Sequence, residues 1–420
     1  MIARALGVDV GTSGVRVVIL AADGEVVGAA SATLASIGDD PAAPEVWWRA
    51  TLACFARLRA DCDLSRVVAL AVDGTSGTIV AVDEGGAPVG AARMYDEPCE
   101  DDVILSRIDA EAPLDSAARG RTSGLARVLM MQDRPRVRHV IHQADWLAGR
   151  LTGRFDRTDE NNALKTGYDP VARHWPDWIA RTGADLSKMP RVLEPGAPIG
   201  PVNEDARQLG LPATAMVHAG TTDGCASFVA TGAWRNGEAV TALGSTLVIK
   251  ILSDTPISAS AYGVYSHRLG DRWLVGGASN TVVAVIQHLF PNADLSELSA
   301  ALKPDEPTGL HFYPLARPGE RFPINDANLL PRLMPRPADE AIFFQAVLEG
   351  IAEIEALAYG RLRELGAPGL KSVRSVGGGA GNAGWTRIRQ RLLGAPFETA
   401  LSQEACVGTA RLLLSRIRTE

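Results

Sequence analysis

An α/β protein built as two similar halves is what this sequence predicts, and three observations lead there. The order strand, glycine-and-hydroxyl turn, strand, hairpin occurs at residues 5–34 and again at 238–276. Short apolar runs at 67–72, 216–220 and 371–376 each lead into a glycine-rich corner, and the last two corners open helical patterns. A chain of 420 residues exceeds one ordinary core, so two domains are expected, with a boundary near residue 230.

In order, Leu6–Val10 reads as a β-rich run that ends near Asp9, followed by Gly11-Thr12-Ser13-Gly14 and a second run, Val15–Leu20. Glycines allow a tight turn and close approach of a ligand. The turn N–H groups and two hydroxyls can face an anion, and Asp9 stands where a metal or a substrate hydroxyl can be held. The same residues also suit an ordinary hairpin with an acid near its turn. Ala22–Glu25 is a turn and Val26–Leu34 a returning strand, while Trp47–Leu58 carries one apolar helical face. Val67–Val72 then runs into Asp73-Gly74-Thr75-Ser76-Gly77, so one strand-end phrase appears at both 8–14 and 72–77. Two strand ends bearing the same loop suggest that both serve one site.

Residues 103–155 read as mostly helical, with a helix at 143–153 ending on a glycine, and 156–200 as loop-rich. His139 and His142 lack a matching acid or cysteine and read as a solvated helix face, not a metal site. Met216–Gly220 is a strand that meets Thr221-Thr222-Asp223-Gly224, which puts Asp223 at a strand-to-helix corner. An N-cap is one job for such an acid. Adjacent threonines and glycines favour a functional one. Glu238–Leu243, the turn Gly244-Ser245-Thr246 and Leu247–Leu252 open the second half, with a hairpin at 262–276. Residues 303–337 hold eight prolines and exclude regular structure. Phe343–Leu365 is an amphipathic helix, Lys371–Val376 a strand, Trp385–Leu393 a helix and Gly408–Ile417 the last helix.

With 46% hydrophobic and 22% charged residues the chain reads as soluble and globular. A net charge of -7 without a basic block argues against nucleic acid. No uncharged apolar run reaches membrane-spanning length, and Asp9 interrupts the first apolar run, so no signal peptide is expected. Cys54, Cys62, Cys99, Cys225 and Cys406 are scattered and odd in number, which reads as reduced thiols in a cytoplasmic protein.

Gly379, Gly381 and Gly384 match G-x-G-x-x-G between a strand and a helix, with Glu398 near the place of a ribose-binding acid. This supports a rival reading, a dinucleotide-dependent oxidoreductase. Only 36 residues follow Gly384, too few for the remaining strands of such a domain.

Taken together, Asp9–Arg16, Gly220–Asp223, Leu243–Thr246 and Gly377–Asn382 resemble the FGGY carbohydrate kinases, with further likeness at 145–153, 319–326 and 347–350. Asp73–Thr78, Gln143–Leu147, Asn162–Tyr168 and Ala278–Asn280 are similar to the short D-ribulose kinases of cyanobacteria and plants. Two departures stand out. Met94-Tyr95-Asp96-Glu97-Pro98 replaces the family's Trp-x-Asp-x-Arg sugar stretch, and Arg127 stands where a lysine is often found.

The resemblance implies two ribonuclease-H-like (actin-like ATPase) domains with mixed five-stranded sheets flanking an active-site cleft. These are a sugar-binding domain over 1–230, completed by a helix at 404–420, and a nucleotide-binding domain over 231–403. It implies transfer of the γ-phosphate of ATP, with Mg²⁺, to the primary hydroxyl of a pentulose. D-ribulose is the expected acceptor, and xylulose or another polyol the alternative. It makes Asp223 the general base, with Asp9, Thr12, Ser13, Gly14 and Ser76 as further substrate contacts and Asp9 with Asp223 holding the metal through water. Gly11, Thr12, Ser13, Gly244, Ser245 and Thr246 hold phosphates, and Gly378, Gly379, Asn382 and Trp385 form the adenine pocket. A cytoplasmic monomer or homodimer, with sugar and ATP as its partners, is expected. An actin-like ATPase without sugar activity is the third class.

Overall fold

The apolar run Arg4–Val10 forms β1, the centre of a mixed sheet in the computed structural model, which describes residues 3–417. It pairs antiparallel with β2 (Gly14–Ala21), which pairs antiparallel with β3 (Val26–Thr33). Between β2 and β3 the turn residue Gly24 takes φ +95°, a conformation that suits glycine. Helix α1 (Pro44–Asp61) starts on proline, whose missing N–H costs nothing at a first helical position, and buries Trp47, Cys54, Phe55 and Leu58. The chain returns as β4 (Val67–Gly74), parallel to β1.

A side lobe follows. Strand β5 (Ile79–Val82), helices α2 (Asp102–Glu111) and α3 (Gly124–Met131), and strand β6 (His139–His142) lead into α4 (Gln143–Thr152), which ends on left-handed Gly153. Residues 156–200 contain short elements: β7 (Arg157–Asp159), α5 (Glu160–Leu164), α6 (Asp177–Arg181), β8 (Arg191–Leu193) and β9 (Pro198–Pro201). Runs of three to five residues are too short to print a period on the sequence. Helix α7 (Glu204–Gln208), strand β10 (Met216–His218) and helix α8 (Asp223–Ala230) complete this part.

The second part begins with the antiparallel pair β11 (Glu238–Leu243) and β12 (Leu247–Ser253), then β13 (Tyr265–Leu269) and β14 (Arg272–Ser279). Helices α9 (Val283–Leu289) and α10 (Leu295–Ala300) follow, and among residues 303–337 no helix or strand forms. Buried Glu320 ties that proline-rich stretch down, accepting from Ser279 Oγ at 2.6 Å and from the Asn280 N–H at 2.9 Å. Helix α11 (Glu340–Glu364), strand β15 (Ser372–Val376), helix α12 (Ala383–Leu393) and strand β16 (Phe397–Glu398) come next, and α13 (Ala405–Ile417) is last. The rest of the helix expected over 404–420, residues 418–420, lies outside the described residues.

The chain divides into two units: residues to Ala230 with His267–Gly270 and from Glu404 onward, and Thr231–Ser266 with Asp271–Gln403. Their sheets run β3-β2-β1-β4-β10-β9 and β13-β14-β12-β11-β15-β16. Each thus contains the expected five-strand mixed order plus a sixth edge strand, β9 in one and β13 in the other. In the first unit α1 and α4 cover one sheet face, while α13 covers the other with Cys406, Ala410 and Leu413. Glycine makes that second layer possible. A Cβ at Gly7 would stand 2.0 Å from the Cys406 carbonyl oxygen, and one at Gly408 would stand 1.7 Å from that of Ala226. In the second unit α11 and α12 pack on the sheet through Phe343, Val347, Ile351, Trp385 and Ile388.

Candidate active site

Strands β1 and β4 end side by side, and the parallel register sets Asp9 opposite Asp73. The phrase repeated in sequence is therefore repeated in space, as two neighbouring strand ends. A bridge between Gly74 and Thr222 continues the row, so Asp223 opens α8 beside the end of β4. Gly220 permits that approach, since a Cβ there would lie 1.8 Å from the Val72 carbonyl oxygen. Thr222, not Asp223, caps α8: its carbonyl and hydroxyl oxygens accept from the Cys225 N–H at 3.0 and 3.4 Å. Asp223 sits half-buried in the first turn, its Oδ1 accepting from the Gly224 N–H at 2.6 Å.

Asp73 was absent from the sequence-derived site, although the repeated phrase marked it. It is fully buried; one oxygen accepts from the Thr409 hydroxyl of α13, and Oδ1 finds no donor among the described residues. Burial first, then the charges of Asp9 and Asp223, push its carboxyl well above the usual range. Burial also raises Asp9, opposed by a hydrogen bond with Asp73 and by Arg16, whose Nη1 lies 3.5 Å away. Burial thus raises both carboxyls, Asp73 the more strongly. Thr12 and Ser13 are exposed in the turn closed by the Gly11 N–H on the Gly14 carbonyl at 3.0 Å, and Ser76 lies in the turn after β4.

In the second unit the turn Gly244–Thr246 joins β11 to β12, with Ser245 exposed. Beside it Gly377 takes φ +86°, where a Cβ would stand 2.7 Å from the Leu243 carbonyl oxygen. Asn382 caps α12, accepting from the Trp385 N–H at 2.9 Å, and its amide donates to Ser299 Oγ at 2.9 Å. Gly378, Gly379, Asn382 and Trp385 all line one cavity of about 650 Å³, together with Phe344 and Leu348. Trp385 is only 2% exposed and donates from Nε1 to the Leu348 carbonyl at 3.0 Å, so it forms an apolar wall and part of the core at once. The oxidoreductase reading fails here. The glycine loop leaves a strand of a mixed sheet, only two-residue β16 joins that sheet afterwards, and Glu398 is engaged by Arg374.

The model of the N-terminal domain of the FGGY family of carbohydrate kinases matches residues 4–101, and that of the C-terminal domain matches 239–414, well over half of the chain together. The chain belongs to the FGGY family of carbohydrate kinases. Xylulose kinase of Escherichia coli (strain K12) is 27% identical over 446 residues, covering 97% of this chain and 89% of that protein. The xylulose kinase structure from Rhodospirillum rubrum matches with a TM-score of 0.85 at 22% identity, covering 99% and 90% of the two chains. Plasmodium falciparum glycerol kinase with ADP matches at 0.83 and 15%, covering 100% and 90%. At these identities the two structures show the fold that FGGY kinases share. Among the described residues no helix is long and apolar enough to cross a membrane.

One region of this FGGY kinase departs from its sequence-derived reading. His139 and His142 lie on β6, paired antiparallel with β5, and not on a helix face. His142 is buried, with Nδ1 2.9 Å from Asp145 Oδ2 and 3.1 Å from Thr158 Oγ1. Beside it Asp159 caps α5 through the N–H groups of Asn161 and Asn162 at 2.8 and 3.0 Å. Burial, then the Asp145 charge, raises the Asp159 carboxyl to about 7. Because folding raises this acid, its contribution to stability is complete below the ordinary carboxylate range and is lost as pH climbs through about 7. Asp159→Asn keeps a capping oxygen and removes the titration. Between pH 5 and 8 the wild type should lose on the order of 1–3 kcal/mol more than the variant in urea denaturation. Equal pH slopes would exclude Asp159 as the source.

Proposed function

We propose that this kinase transfers the γ-phosphate of ATP to the primary hydroxyl of a pentulose, with D-ribulose as acceptor. The observation that carries the reading is the row Asp9, Asp73, Asp223 at two strand ends and one helix start. It sets two buried carboxylates side by side at the strand ends and a third, half-buried, at the start of α8. Asp223 takes the proton from the attacking hydroxyl as the bond to phosphorus forms. Thr12 and Ser13, with the N–H groups of Gly11 and Gly14, cradle the transferring phosphate, and Gly244, Ser245 and Thr246 hold the nucleotide's phosphates. Gly378, Gly379, Asn382 and Trp385 receive the adenine, for which the 650 Å³ apolar-walled cavity is ample.

Carboxylates are the hard oxygen donors that Mg²⁺ prefers, and it commonly takes one or two of them with waters and phosphate oxygens completing its shell. Asp9, with Asp223, fits that need, and the bound ion would neutralise phosphate charge. Phosphoryl transfer rests mostly on such positioning and charge. The relatives named xylulose kinase support a pentulose, and make D-xylulose the competing acceptor. D-ribulose is favoured by the likeness at 73–78, 143–147 and 162–168.

The test is ADP release with Mg-ATP against D-ribulose, D-xylulose, L-ribulose, glycerol and no sugar. Greatest kcat/KM with D-ribulose supports the full reading. Preference for D-xylulose or glycerol keeps the chemistry and replaces the acceptor. Hydrolysis indifferent to every sugar would overturn it in favour of an ATPase without sugar activity.

A further inference from the structure

We propose that Arg127 is a positioning residue for acceptor recognition: it locks the Ser76 turn to the Tyr95–Glu97 segment and so sets which sugar is preferred. The inference rests on the pentulose kinase reading and adds the group that tunes its acceptor site.

Arg127 lies on α3 and is 2% exposed. Both Nη groups of its guanidinium donate to main-chain carbonyls, while buried Nε finds no acceptor among the described residues. Nη1 donates to Gly77 at 3.1 Å and Thr122 at 2.9 Å, and Nη2 donates to Tyr95 and Glu97, both at 2.7 Å. Three separate stretches thus meet on one planar fork. A lysine ammonium has three donors at one point and cannot span four carbonyls set on two sides. Burial lowers the Arg127 pKa to about 10, so this cation is held at a cost in desolvation.

A second tie runs in parallel. The Tyr95 N–H donates to Thr78 Oγ1 at 3.1 Å, and the Thr75 and Thr78 hydroxyls are 2.6 Å apart. Thr75 donates from both its N–H and its hydroxyl to Gln143 Oε1, at 3.0 and 2.8 Å. Donor counting then gives one directed chain, Tyr95 to Thr78 to Thr75 to Gln143. Ser76 sits between residues that are both tied, Thr75 by Gln143 and Gly77 by Arg127, and it alone of residues 75–78 is not fully buried. On the other segment Tyr95 and Asp96 have exposed side chains above a pinned backbone. The network fixes the backbone of both segments, while the Tyr95 and Asp96 side chains are exposed and Ser76 Oγ is buried with no partner among the described residues. That pattern suits recognition of a polyhydroxyl ligand better than core stability. It also accounts for the arginine at a position where the family often has lysine, in the same region where the Trp-x-Asp-x-Arg stretch is replaced.

The test is steady-state kinetics of Arg127→Lys with D-ribulose and D-xylulose, alone and in a Ser76→Ala background, with the wild type alongside. The expected result is a rise in acceptor KM of about tenfold or more, with KM for ATP within about twofold of wild type and a smaller ratio of kcat/KM between the two sugars. In the Ser76→Ala background the same change should add less than about threefold, because the two residues act through one turn. An unchanged acceptor KM, equal rises for acceptor and ATP, or full additivity with Ser76→Ala would overturn the proposal. Should Arg127→Lys fail to fold, Thr78→Val cuts the parallel tie, and the same acceptor-only pattern is required of it. Absence of sugar-stimulated turnover in the wild type refutes the kinase reading, and this inference falls with it.

Discussion

Replacing Asp223 with asparagine should lower kcat by about 10³-fold, within the 10²–10⁴ range typical of a positioned general base. Asparagine keeps the size and can still accept from the Gly224 N–H, so α8 should remain formed under its Thr222 cap. Acceptor and ATP binding, measured by calorimetry on the inactive protein, should change by less than about threefold if proton removal is the role lost. A loss well beyond 10⁴ would assign Asp223 metal or sugar positioning as well. Activity within tenfold of wild type would remove it as the base and turn attention to Asp9.

The second large effect lies in the core of the other unit. Arg389 and Glu355 are both 0% exposed and meet in a bidentate pair, Nε to Oε2 at 2.6 Å and Nη2 to Oε1 at 2.7 Å. The remaining valences are filled: Arg389 Nη1 donates to Ser375 Oγ at 2.8 Å, and Thr241 Oγ1 donates to Glu355 Oε1 at 2.6 Å. The pair therefore joins α11 and α12 to β11 and β15, the elements that position the glycine loop. Removing one partner leaves a buried charge without its counter-ion, which costs about 3–5 kcal/mol. Glu355→Gln or Arg389→Met should show that loss as faster hydrogen exchange in peptides of α11 and α12. The double change Glu355→Leu/Arg389→Met should be much milder than the sum of the single changes. Additive losses would show that packing around each chain, not the ion pair, is what matters.

Legibility differed by element. Long elements with one apolar face, such as α1 and α11, declare themselves because burial of a helical face imposes a 3.6-residue period. The turns at 11–14, 244–246 and 377–381 were visible because glycine tolerates backbone shapes and close contacts that other residues do not. Strand β6 was missed because four residues holding two histidines three apart satisfy a helical spacing, while only its pairing with β5 makes it a strand. The strands within 156–200 were missed for the same kind of reason, each being defined by a distant partner, and the helices there are too short to show a period.

At the candidate site, Asp9, Asp223, the glycine-and-hydroxyl turns at 11–14 and 244–246 and the residues that line the 650 Å³ cavity could be picked out by local chemistry and family likeness, since each lies in a short stretch of distinctive residues. Asp73 as a buried partner of Thr409 and Arg127 as a four-carbonyl clamp were not. Each of those roles depends on a partner far away in the chain: Thr409 lies 336 positions from Asp73, and Gly77 lies 50 from Arg127. By itself the sequence determined the class of protein, its duplicated plan and the residue types offered to a phosphate and a sugar, because turns and amphipathic periods are local. Only the tertiary structure decided which acids are buried side by side and which loops are locked together, because burial and hydrogen-bond partners exist only once distant segments meet.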